Sequence, residues 1–337
     1  MRKFTGFLAI GVIAGGIAIA GDASAQLFPR TNNAATPAAA PAATPAAPAA
    51  ATPAPAAPAP GPTAAIPGVS PAKQPCNNAD ALGIGRSVEI DTTGGPGFGF
   101  EHFKQMDFLR DKEVVLTFDD GPWPENTPNV LKALANECTT AIFFPIGKHA
   151  TWHPEILKQV AAAGHVIGSH TWSHQDLNRG KYAKDQNAAK EEIEQGISAV
   201  KWALGASPAP FFRFPALQHP PAMVTYLGER NIGIWSCDLD SFDFKASKPE
   251  VIINTVFNKL NKLGKGIILM HDFQKHTAEA LPALLRRLKA EGYKVVQVKA
   301  KEPVKSLPQY DEALMKQAAL PTVTTRPVSS VVRDVTE

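Results

Sequence analysis

Between Thr31 and Ala72 the chain carries no charge, and Ala, Pro and Thr dominate it. Such a composition buries too little apolar surface to offset chain entropy, so no core is expected there. We read it as an extended, partly polyproline spacer reaching at most ~130 Å at ~3.1 Å per residue. Cysteine is scarce as well: Cys76, Cys138 and Cys237. Three thiols make no disulfide framework, and the lack of a C-x-x-C excludes a metal knuckle or redox pair. There is room for one bridge and one leftover thiol. Cys76, at the start of the expected folded region, is the expected partner of Cys138, with Cys237 a small buried thiol, although spacing alone does not fix connectivity. Neither sign of charge is in excess: 34 Lys+Arg against 31 Asp+Glu gives +3. That is too little, too evenly spread, for a nucleic-acid partner.

What is present divides unevenly. Met1-Arg2-Lys3 is a basic start, the stretch to Ala20 is apolar, and Ala23-Ser24-Ala25 is an A-x-A cleavage site. Residues 1–25 thus read as a secretory signal peptide, with mature chain from Gln26; an uncleaved anchor is the alternative. Residues 26–75 read as the linker, 76–310 as one folded domain, and 311–337 as a C-terminal tail. Export to the periplasm, cell envelope or medium follows, with no permanent membrane span after cleavage.

Within 76–310 apolar strand-like runs at 114–118, 141–146, 165–169, 211–215, 233–237, 266–270 and 293–298 alternate with helical patterns at 127–137, 154–163, 183–204, 249–263 and 277–291. Pro128 and Pro249 sit near helix starts; Gly164, Gly205, Gly264 and Gly292 sit at helix ends. Seven strands alternating with helices predict an α/β fold with a parallel sheet, as a distorted (β/α)7-type barrel; an open doubly wound sheet is the runner-up. No GxGxxG follows the first strand, which removes the dinucleotide reading.

The ionisable residues gather at strand ends. Asp119 and Asp120 close the first strand and His170 the third. Arg213 lies in the fourth, Asp238, Asp240 and Asp243 follow the fifth, and His271 closes the sixth. In parallel barrels that rim carries the chemistry. Two adjacent carboxylates can divide the work, one binding a metal and the other serving as base. His170 and His174, four apart, would point the same way on one helical turn. With Asp120 they make the two-nitrogen, one-carboxylate set of a catalytic zinc. His102, His149, His153, His165, His219 and His276 have no comparable partner in sequence and read as surface or packing residues.

These residues stand in a known order. Thr117-Phe118-Asp119-Asp120-Gly121-Pro122, His170-Thr171-Trp172-Ser173-His174, Arg213-Phe214-Pro215, Asp240-Ser241-Phe242-Asp243-Phe244 and Leu269-Met270-His271 resemble the five motifs of the NodB-like polysaccharide deacetylases, carbohydrate esterase family four. The resemblance implies a divalent ion, zinc by preference, on Asp120, His170 and His174. It implies Asp119 as general base fixed by Arg213, and His271 as general acid oriented by Asp243, with Asp240 in reserve. It further implies Ala216 as a backbone oxyanion donor and Leu269 on the substrate side. The expected substrate is an acetylated polysaccharide, with N-acetylglucosamine polymers foremost. Two departures stand out: Ala216-Leu217 where the family has Tyr-Gly, and Phe244 where it has Trp. Trp123, Trp172 and Phe214 suit either sugar stacking or packing. An O-acetyl esterase would use the same residues. A phosphoesterase would want a second metal's ligands and phosphate-cradling glycines, which are absent. A non-catalytic sugar-binding relative would be expected to lack Asp119 or His271, and both are present.

Overall fold

The computed structural model describes residues 76–104 and 106–318. The expected signal peptide, the Ala/Pro-rich linker and residues 319–337 of the tail lie outside these.

In chain order the elements are β1 (Arg86–Ile90), β2 (Gly97–Phe98), β3 (Glu113–Asp119), α1 (Asn126–Asn136), β4 (Ile142–Phe144), α2 (Gly147–Trp152), α3 (Pro154–Ala162), β5 (Val166–Ile167), α4 (Gly180–Lys184), α5 (Gln186–Leu204), β6 (Phe211–Phe212), α6 (Pro221–Glu229), β7 (Gly233–Trp235), β8 (Leu239–Asp240), α7 (Pro249–Leu263), β9 (Gly266–His271), α8 (Lys275–Ala290), β10 (Lys294–Ala300) and α9 (Pro308–Ala318). Their ends have local causes. Asp185 caps α5 by accepting from the Asn187 and Ala188 N–H groups, and left-handed Gly205 ends it. Pro249 opens α7 and left-handed Gly264 closes it.

Every pairing is parallel, and β3 is the hub. It pairs with β4 over 117–119, with β9 over 114–119, and with β10 at its first two residues. The main sheet therefore runs β8–β9–β3–β4–β5, with β1 attached through β10. A single bridge, Ser169–Phe212, leads on to the smaller sheet, β6–β7–β2. β7 and β8 are two pieces of one extended stretch, parted by Ser236–Asp238: the first pairs β6, the second β9. The strands follow the course of a distorted barrel that is not closed: the small sheet is joined to the end of β5 through Ser169, while its other side leads to β8 only through residues 236–238.

β3 is buried on both faces, as a central parallel strand must be. Its alternation sorts its residues. Val114, Leu116 and Phe118 join the core under the helices. Val115 joins the inner cluster with Ile142 and Phe144 of β4, Phe211 of β6, Trp235 of β7 and Ile267 of β9. Thr117 and Asp119 therefore face inward. The sequence missed β1 and β2, since β1 alternates half-buried and exposed residues and offers no apolar run. The boundary expected at 310 is crossed by α9, whose Asp311 pairs with Lys201 of α5 at 2.7 Å. Cys76 and Cys138 are joined, and Cys237 is a buried free thiol. Among the described residues no helix is long and apolar enough to cross a membrane.

Candidate active site

Asp119 and Asp120 leave β3 in different directions. Asp119 is still extended and keeps the inward side. Its Oδ1 accepts from Arg213 Nη1 at 2.7 Å, and the same nitrogen donates to Thr117 Oγ1 at 2.7 Å. Asp120 turns into the left-handed region, φ 74°. That turn brings its Oδ1 to 3.5 Å from His170 Nε2 and 3.3 Å from His174 Nε2.

The two histidines do not share a helical turn. Residues 171–173 form a non-helical turn after β5, with Thr171 at φ 65° and His174 at φ 57°. Left-handed residues at both positions bring the rings together, centroids 4.9 Å apart. His170 Nδ1 donates to the Arg213 carbonyl at 2.7 Å, leaving Nε2 as a lone-pair donor toward Asp120. Burial, reinforced by the positive neighbours, holds its pKa well below the usual histidine value, so the ring is neutral.

This trio fits a metal. A tetrahedral zinc with bonds of ~2.0–2.1 Å puts neighbouring ligand atoms ~3.4 Å apart, matching the 3.3 and 3.5 Å found. Asp120 Oδ1 is buried and has no hydrogen-bond donor, an arrangement that an ion would satisfy. Among the described residues it is the only His/Cys/Asp/Glu group of three with this closeness.

Around the trio sit two charged pairs. Arg213, fully buried, spends its other donors on the Trp235 and Ser236 carbonyls at 3.1 and 2.8 Å. Burial pushes the Asp119 carboxyl up, Arg213 and His271 pull it back, and it comes to about 6. On β9, His271 Nδ1 meets Asp243 Oδ1 at 2.6 Å, and its Nε2 lies 3.9 Å from Asp120 Oδ2. Burial works against the imidazolium, but the Asp243 hydrogen bond and charge, with Asp120 and Asp119 behind them, raise it to about 10. Asp243 is itself held by the His271 N–H and the Thr277 hydroxyl. Asp240 instead accepts the Phe242 N–H, and Asp238 the Phe100 and Ile267 N–H groups.

The geometry brings together Asp119, Asp120, His170, His174, Arg213, Asp243 and His271. Leu269 is core, 4% exposed. Ala216 is exposed, and its φ of 52° is followed by 51° at Leu217. Two residues escaped the sequence reading. His149 Nδ1 lies 2.6 Å from the Asp120 carbonyl, and Asp272 lies buried beneath Gly121. His149 left no signal because its partner is a backbone atom. Asp272 had one, its place beside His271.

A family model described as "Polysaccharide deacetylase" matches residues 108–232. The chain is 32% identical over 163 residues to the chitooligosaccharide deacetylase of Azorhizobium caulinodans, covering 47% of this chain and 73% of that one. The chain belongs to the polysaccharide deacetylase family. To this family also belongs the peptidoglycan-N-acetylmuramic acid deacetylase PdaC of Bacillus subtilis, 31% identical over 206 residues, 58% of this chain but only 39% of PdaC. Among solved structures the peptidoglycan deacetylase Bd3279 of Bdellovibrio bacteriovorus superposes with TM-score 0.58 at 34% identity, over 65% of this chain and 59% of that one. Asp243 and His271 lie beyond the range the family model matches. Where the family has Tyr-Gly, this chain holds two left-handed non-glycine residues in succession, Ala216 and Leu217.

Proposed function

We propose that the chain is an exported, metal-dependent polysaccharide N-deacetylase that removes acetate from N-acetylglucosamine units of peptidoglycan, a chitin-type oligomer or an exopolysaccharide. The observation that carries this reading is the pairing of Asp119 with Arg213 and of His271 with Asp243 on either side of Asp120, His170 and His174. Asp120, His170 and His174 would hold one divalent ion, zinc by preference; when bound, it supplies Lewis acidity toward the acetyl oxygen and lowers the pKa of water.

The rest is done by side chains. Asp119, ionised above about pH 6, accepts at its carboxylate the proton of the attacking water. Arg213 holds that carboxylate in place and in its charged form. His271 stays cationic to about pH 10 and gives its Nε2 proton to the departing amine, while Asp243 fixes its Nδ1. The Ala216 N–H is the oxyanion donor. Water and the acetamide become acetate and a free amino sugar. Trp123 and Trp152, 37% and 57% exposed, are suited to lie against sugar faces, whereas Phe214 is wholly buried and belongs to packing. Residues 1–25 act as export signal and 26–75 as a tether in this reading.

Acetate release from acetylated polymers, with and without a chelator, tests the activity; release unaffected by complete metal removal would reject it. The role of His271 has a sharper test. His271→Ala is expected to lower amide hydrolysis by ~10²–10⁴-fold and an activated aryl acetate far less, because a phenolate leaves unprotonated. Equal damage to both would remove His271 as the acid.

A further inference from the structure

We infer that His149 and Asp272 are positioning residues for Asp120, holding the metal-side carboxylate in a backbone conformation it would not keep alone. The inference rests on the metal reading above. A non-glycine residue in the left-handed region is strained and persists only where its surroundings over-determine it. Asp120 is such a residue, with φ 74°.

Its surroundings do over-determine it. The Asp120 N–H donates to the Phe144 carbonyl at 3.1 Å. The Asp120 carbonyl accepts His149 Nδ1–H at 2.6 Å. The next N–H, that of Gly121, donates to Asp272 Oδ1 at 3.1 Å. The other Asp272 oxygen accepts the Thr127 hydroxyl at 2.5 Å, and that hydroxyl accepts the Trp123 N–H at 2.8 Å. One buried carboxyl thus grips the turn at two points beyond Asp120. The fit leaves no slack, since a Cβ placed on Gly121 would overlap the Asp272 carboxyl.

The sheet order explains how both groups reach one turn. β9 and β4 flank β3, and each is followed directly by one of the two: Asp272 after β9, His149 in α2 after β4. Asp272 is 1% exposed, and burial pushes its carboxyl up to about 7. Its hydrogen-bond donors all belong to the segment that follows Asp120. A site needing only packing would hold an apolar side chain there. The His149 ring packs at a tilt against Trp123 and Trp152, centroids 5.1 Å from each, which limits the direction of its N–H.

The test uses the full chain stripped of metal, zinc affinity by chelator competition, the visible absorption of the Co²⁺ form, and circular dichroism for the fold. Asp272→Ala and His149→Phe, the latter keeping the aromatic packing, are each expected to weaken zinc binding by ~10–100-fold and to alter the Co²⁺ spectrum. Asp272→Asn keeps an acceptor for the Gly121 N–H and is expected to bind zinc much more nearly as the parent does. Folded Asp272→Ala and His149→Phe proteins with unchanged zinc affinity would overturn the inference. So would an Asn variant as weak as the Ala variant, since charge rather than position would then matter. If Asp272→Ala does not fold, His149→Phe and Thr127→Val decide by the same criteria. A parent protein that binds no zinc at all would overturn the metal reading along with the inference; a parent that binds while the variants do not weaken overturns the inference alone.

Discussion

The proposed reaction needs Asp119 ionised and the neighbouring His271 protonated, yet burial alone drives both groups toward neutrality. Asp243 makes the difference for His271: its carboxylate, at 2.6 Å, outweighs the burial and takes the imidazole up to about 10. The folded pKa thus lies above the ordinary ~6.5. The pair's contribution to stability is therefore fully present below about pH 6.5 and is lost as pH rises through about 10. In the metal-free protein, NMR of the imidazole should show His271 charged well beyond neutral pH. Asp243→Asn should lower its pKa, because only Asp120 and Asp119 then oppose the burial, and should reduce the alkaline loss of stability. An unmoved titration in that variant would mean that Asp243 does not hold the charge. A bound dication would shift both Asp119 and His271 to lower pH, since positive charge favours the deprotonated form of each.

The turn that carries His170 and His174 is shaped by a helix rather than by its own sequence. Glu192 of α5 accepts the Ser173 N–H and hydroxyl through its carboxylate, and its carbonyl accepts the Trp172 N–H at 2.8 Å. Gly196, one turn on, lets α5 come close: a Cβ there would stand 2.5 Å from the Thr171 carbonyl carbon. Gly→Ala within a helix ordinarily adds about 0.5–1 kcal/mol of stability. Here the sign should reverse, with Gly196→Ala costing ~1–3 kcal/mol by overpacking and lowering zinc content, measured by thermal unfolding and metal analysis. A stabilised variant with full zinc would show that the turn yields freely. This dependence on α5 explains the limits of the sequence reading. Strand ends were legible because apolar runs stop at polar residues, which placed Asp119, Asp120, Arg213 and His271 on one rim. The path between His170 and His174 was not, since left-handed Thr171 and His174 follow from contacts with a helix some twenty residues away. The short strands β6 and β7 showed as apolar runs at 211–215 and 233–237, whereas β2 and β8, two residues each, left no periodic trace.

At the scale of the molecule, the Cys76–Cys138 link closes a span of 62 residues, tying the start of the described chain to the end of α1. Loop-closure entropy assigns such a link about 4 kcal/mol. The double Cys76→Ser, Cys138→Ser variant should unfold at correspondingly lower denaturant while keeping its zinc affinity; unchanged stability would mean that the unfolded chain gains nothing from release. The other whole-molecule feature is the break in the ring between β7 and β8. Beside it, Arg213 joins the end of β7 to β3 through the interior, bonding Trp235 and Ser236 on the interrupted stretch and Thr117 and Asp119 on β3. The residue proposed to steady the base is thus also a buried tie between β3 and the interrupted stretch. Selection for folding alone would retain this arginine in a descendant that had given up catalysis. A genome survey using Arg213 as a badge of activity would count silent copies as working ones. Asp120 and His174 are the better diagnostic, because the Asp120 Oδ1 without a donor and the half-exposed His174 ring would be free to drift once nothing needed to be bound.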